Sequence, residues 1–124
     1  MTLEHYRPFV GIPHVKPHGC WRIVARVLQE VHGVKLPDTW GIQLSNDDLA
    51  QRALVIQQHL RDHGRRVDDP QPGDVCVMYR LSYPVHVALY AGDGWLLQST
   101  SDIGVSHLVR AKDVPYGNLS YYRP

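Results

Sequence analysis

Cysteine is scarce in this chain of 124 residues: there are two, Cys20 and Cys76. They could form one disulfide, but nothing in their spacing requires it. A charge excess is missing too. Thirteen Lys+Arg stand against twelve Asp+Glu, so the chain lacks the basic surplus needed to neutralise nucleic-acid phosphates or an anionic membrane surface. No apolar run approaches the length of a membrane span, and the first twenty residues lack the basic-then-apolar pattern of a signal peptide. Action outside the cytoplasm is therefore expected to need another route. No internal repeat or low-complexity tract is present. What is left is an ordinary globular composition, 44% hydrophobic, and enough chain for one core and one domain over residues 1–124.

The most informative stretch is Pro17-His18-Gly19-Cys20-Trp21-Arg22-Ile23-Val24, a turn running into a helix. From Cys20 the apolar residues fall at Ile23, Val24, Val27, Leu28 and Val31, one stripe of an amphipathic helix. Gly33 supplies a left-handed stop and Pro37 forbids resumption. Cys20 then sits on the first turn, pointing inward, where unpaired N–H groups and the helix dipole favour thiolate over thiol. A lone cysteine on an apolar face is more often core filling, so its position needs a partner elsewhere in the chain. Cys76, within Asp74–Tyr79, reads as a structural residue of a buried strand.

Residues 1–19 read as an irregular arm with three prolines. His14 and His18 with Cys20 raise the question of a metal, but no CxxC pair or HxxxH helix stands beside them, and no metal site is expected. Ser45 and Asp48 form a capping box for a second helix whose buried face is Leu49, Ala53, Ile56 and Leu60, ended by Gly64. Residues 65–73 read as a polar linker. Short β-rich runs follow at Asp74–Tyr79, Val85–Tyr90, Trp95–Thr100, Ile103–Val109 and Leu119–Arg123. Helices first and an antiparallel meander afterwards describe an α+β domain.

In Pro84–Tyr90, strand alternation puts Val85, Val87 and Leu89 on one face and His86, Ala88 and Tyr90 on the other. A mid-strand histidine is either a core residue bonded to backbone or a general base for a thiol. Gln98 could orient it as the third member of a triad, or could be satisfied by backbone or water. The loop decides between these. A three-residue loop Gly92-Asp93-Gly94 pairs Ala91 with Trp95 and makes His86 and Gln98 diagonal neighbours; a tight Asp93-Gly94 turn predicts opposite faces.

Gly19-Cys20-Trp21 opening the helix, then Gly33-Val34-Lys35-Leu36-Pro37, Gln71-Pro72-Gly73-Asp74-Val75, His86-Val87-Ala88-Leu89-Tyr90 and Gly92-Asp93-Gly94-Trp95-Leu96-Leu97 together resemble the NlpC-type cell-wall cysteine peptidases. The likeness is greatest to the branch found in phage tail-assembly proteins, and it extends to the closing Leu119-Ser120-Tyr121-Tyr122-Arg123. It implies a papain-like fold, with the helices packed on the sheet and the nucleophile at a helix N-terminus. Cys20 becomes the nucleophile, His86 the base and Gln98 the third polar residue, with His14 and Trp21 as substrate contacts and no cofactor. Gly19 stands where the family usually has Asp, Arg22 where it has a small residue, and Gln98 where it usually has His.

The expected activity is that of a cysteine endopeptidase or amidase cutting peptide stems of peptidoglycan from a phage tail or after dedicated export. The expected partners are the cell-wall peptide and other tail proteins, with neither nucleic acid nor membrane. Two alternatives keep the fold: an inactive tail component and an interbacterial amidase toxin.

Overall fold

The computed structural model describes residues 2–15, 19–35 and 49–124, apart from the side chains of 49–53 and 56. Two helices, α1 (Gly19–Glu30) and α2 (Leu49–His63), precede six strands: β1 (Arg65–Val67), β2 (Val75–Arg80), β3 (Tyr83–Gly92), β4 (Trp95–Ser99), β5 (Ser106–Arg110) and β6 (Asn118–Arg123). The strands form one antiparallel sheet in the order β1-β6-β2-β3-β4-β5. The expected meander is β2 to β5, and β6 returns to pair with β2 on its other side.

Periodicity accounts for α1. Cys20, Trp21, Ile23, Val24, Val27 and Leu28 are all buried, so the predicted stripe is the face laid on the sheet. Gly33 has a φ of 65°, and Val34 N–H bonds back to the Leu28 carbonyl at 2.9 Å, closing the helix at the predicted stop. Of the predicted buried face of α2, Leu60 is 1% exposed. The capping pair Ser45 and Asp48 lies outside the described residues. Gln57, not predicted as buried, is 5% exposed and donates to the Tyr79 hydroxyl.

The two faces of the sheet carry separate cores. Val75, Val77, Val87, Leu89, Ala91 and Leu97 pack with the α1 stripe and Leu60, while Cys76, Met78, Ala88 and Leu96 pack on the far side with Tyr90, Tyr116, Leu119 and Tyr121. Cys76 has no exposure, and burial pushes its thiol up to about 12, in keeping with a structural role. Neither cysteine is in a disulfide.

Two expectations are corrected. The polar stretch after Gly64 contains β1, whose three residues pair with Tyr121–Arg123 at the sheet edge; an Arg-Arg-Val strand with one paired side has no alternating apolar pattern to reveal it. The N-terminal arm is not wholly irregular. Two short 3-10 turns, Leu3–His5 and Arg7–Phe9, bury Tyr6 and Phe9 in the α1-side core, and Pro13 bridges to Val105. Tyr6 is fastened by its hydroxyl to His32 Nε2 at 2.9 Å. Nearby, buried Asp74 takes two bonds from Arg123, at 3.0 and 2.9 Å, and one from the Gln71 N–H.

Candidate active site

Local backbone geometry places His86. Strand β3 has two irregularities. One falls where Met78 faces His86 but Tyr79 faces Pro84, leaving Val85 unpaired; the other lies between Tyr90 and Gly92, leaving Ala91 unpaired. Such bulges re-aim side chains and often border active sites.

The bulge at Ala91 settles the turn question in a way that alternation alone does not. Gly92 pairs with Trp95, so the connection is the tight Asp93-Gly94 turn, with φ of 53° and 80° at its two residues. The expected Ala91–Trp95 pair does not form. An unbroken ladder from that turn would set Gln98 opposite Leu89, on the α1 face. The extra residue shifts the register so that Leu89 faces Leu97, which returns Gln98 to the face of His86. The turn is tight, and the two side chains still meet.

They meet at hydrogen-bond distance, His86 Nε2 to Gln98 Oε1 at 3.0 Å, and each is 7% exposed. A carbonyl oxygen only accepts, so Nε2 is the protonated nitrogen. Tyr116 stacks on the imidazole with ring centroids 6.2 Å apart. Burial pushes the His86 pKa down to about 4; the Gln98 bond pulls it up, the nearby His14 and His107 push it down, and Asp102 pulls it up. The ring is therefore neutral at pH 7.

Cys20 lies on the first turn of α1, 6% exposed, within the core on the α1 side. Beside it, Gly19 makes room for His14: a Cβ there would come within 2.5 to 2.8 Å of three atoms of the His14 ring. His14 Nδ1 lies 2.6 Å from Ser99 Oγ. His14 thus touches the tip of α1 and also acts electrostatically on His86. It is the neighbour that the two halves of the site share.

The other candidates separate. Trp21 is 4% exposed, packs in the α1-side core and borders a cavity of about 70 Å³ with Leu28, Val34 and Leu60. That placement packs Trp21 against the core, on the border of this cavity. His5 is exposed, and His18 lies outside the described residues. His59 and His63 lie one turn apart on α2 with tilted rings whose centroids are 4.4 Å apart, but among the described residues no three metal-ligating side chains converge. Nor, among them, is any helix long and apolar enough to cross a membrane. Sequence reasoning passed over His107, Tyr116 and Ser99. For His107 and Ser99 the only signal was parity in strands whose register depends on the bulge, and Tyr116 lies between β5 and β6, where no periodicity marks it.

The family model for NlpC/P60 matches residues 11–119. The chain belongs to the NlpC/P60 family. The match takes in both α1 and the His86–Gln98 pair, and members of this family are typically cysteine peptidases. Among solved structures, NlpC1 from Trichomonas vaginalis is similar, with a TM-score of 0.53 and 16% identity over 97% of this chain. That likeness bears on the fold, which is the α+β papain-like arrangement expected of an NlpC/P60 domain. The chain spans 41% of that protein's length. Comparison with curated proteins gives no match.

Proposed function

We propose that this NlpC/P60 domain is a cysteine peptidase or amidase that hydrolyses peptide stems of bacterial peptidoglycan, acting from a phage tail. The observation that carries the reading is the buried His86–Gln98 bond. It spends Nε2 on the amide oxygen and so leaves Nδ1 as the nitrogen that can take a proton. In this reading Cys20 is the nucleophile, His86 the base, Gln98 the residue that orients it, and His14 lines the substrate side.

The chemistry runs in two halves. The Cys20 thiol passes its proton to His86 Nδ1, and sulfur attacks the amide carbon. The oxyanion is held in part by the Cys20 backbone N–H at the start of α1. The C–N bond then breaks as His86 gives its proton to the leaving amine, and a thioester remains. Water, losing a proton to the same nitrogen, hydrolyses that thioester and returns the thiol.

One observation favours a second reading, an inactive tail component. Strand alternation sets His86 with Met78 and Ala88, on the face opposite the one α1 covers. A working pair must then close around the ends of the strands, beside His14.

Labelling distinguishes the two. An activated Cys20 reacts with iodoacetamide near neutral pH at least tenfold faster than Cys76, and the advantage disappears in His86→Ala. Purified peptidoglycan incubated with wild type then releases peptide fragments that Cys20→Ala does not. Equal and slow labelling of both cysteines, with no fragments released, would establish the inactive scaffold.

A further inference from the structure

Behind Gln98 the hydrogen-bond chain continues to a third histidine whose far side is fixed by backbone. His107 stands directly opposite Gln98 in the β4–β5 ladder. Its Nε2 lies 3.1 Å from Gln98 Nε2, and its Nδ1 lies 2.9 Å from the Val105 carbonyl oxygen. The carbonyl only accepts, so Nδ1 carries the proton, and neutral His107 presents a lone pair at Nε2. That lone pair accepts from the Gln98 NH2 group. The amide oxygen is thereby turned toward His86, where it accepts from Nε2–H at 3.0 Å. Each contact requires the next, and turning the amide over would set donor against donor at His86 and acceptor against acceptor at His107.

We propose that His107 is a positioning residue: anchored on the Val105 carbonyl, it fixes which way the Gln98 amide faces, and through Gln98 it selects the His86 tautomer whose lone pair is on Nδ1. The need for it follows from the chemistry of the third residue. An amide offers an oxygen on one side and an NH2 group on the other, at nearly equal reach, so glutamine alone does not specify a tautomer. With His86 and Gln98 each 7% exposed, bulk water is poorly placed to make the choice. The tautomer claim stands apart from the proposed activity; only its catalytic consequence rests on that reading.

The test uses the full chain labelled with nitrogen-15 at histidine, near pH 8, where the imidazole nitrogen shifts report the tautomer directly. Wild type should show His86 as the Nε2–H form. His107→Phe should lower the ratio of Nε2–H to Nδ1–H about tenfold, the value of one ordinary hydrogen bond. His107→Asn, too short to reach Gln98, should do the same and serves if the Phe variant does not fold. A carboxylate cannot be turned over, so in a Gln98→Glu background His107→Phe should leave the His86 tautomer unchanged.

An unaltered Nε2–H tautomer in folded His107→Phe or His107→Asn overturns the proposal. So does a His107→Phe effect of full size in the Gln98→Glu background. Alkylation of Cys20 by iodoacetamide, measured on the same variants, separates this claim from the activity. A changed tautomer with an unchanged Cys20 rate supports the positioning role and counts against the thiol–imidazole pair.

Discussion

Acid should weaken this fold through His86 in particular. The free imidazole titrates near 6.5, whereas burial holds it at about 4 in the folded chain, so between those values the unfolded state binds the extra proton and the folded state does not. Stability is therefore fully present above the unfolded pKa and is lost as pH falls from about 6.5 toward 4. The gap is worth about 3 kcal/mol over the whole window, at 1.36 kcal/mol per tenfold. For a chain of this length that corresponds to roughly 10 °C in melting temperature. Burial also lowers His32 and His59, so the quantity to measure is a difference. Urea melts of wild type and His86→Gln at several pH values between 7 and 4 should give slopes of stability against pH that diverge, the variant being flatter. Parallel slopes would refute the reasoning, because they would mean that His86 is accessible enough to protonate without unfolding. The same argument applies to function. A neutral imidazole at pH 7 is a base and not a standing cation, so any activity should persist well below pH 6.5 in protein that is still folded.

Three further outcomes follow from particular contacts. Gly19→Asp, which installs the residue usual in the family, should cost about 1–3 kcal/mol by forcing the His14 ring off Gly19, and urea melts together with loss of the His14–Ser99 bond check it. Deleting Ala91 removes the bulge but leaves Gly92–Trp95, Tyr90–Leu96 and Leu89–Leu97 in the same register, so Gln98 should keep the face of His86. The His86–Gln98 bond should therefore survive, with the His86 N–H still protected from exchange in NMR, and rapid exchange would show that the register argument is wrong. Arg123→Met leaves buried Asp74 with only the Gln71 N–H. Because Arg123 is about a third exposed, the loss of stability should fall below that of a fully buried pair, read by urea melts near pH 7.

The sequence by itself determined the elements and the chemical inventory. The α1 stripe from Cys20 to Leu28, the stop at Gly33 and five of the six strands follow from periodicity and turn residues, because those signals are local and repeat within a few positions. The resemblance carried by Gly19-Cys20-Trp21 and His86-Val87-Ala88 was likewise legible. The family model spanning residues 11–119 bears it out.

Tertiary structure decided which of those residues meet. Whether Gln98 faces His86 depends on one unpaired residue at Ala91, and a single-residue slip inverts every side chain of a strand. Nothing about an Ala-Gly pair before an Asp-Gly turn announces that slip. Strand β1 owes its existence to β6, a partner more than fifty positions away, and His107 enters the site only because β5 pairs with β4 in that register. Local pattern fixes what a segment is. Register, which is set by the sum of distant pairings, fixes what it touches.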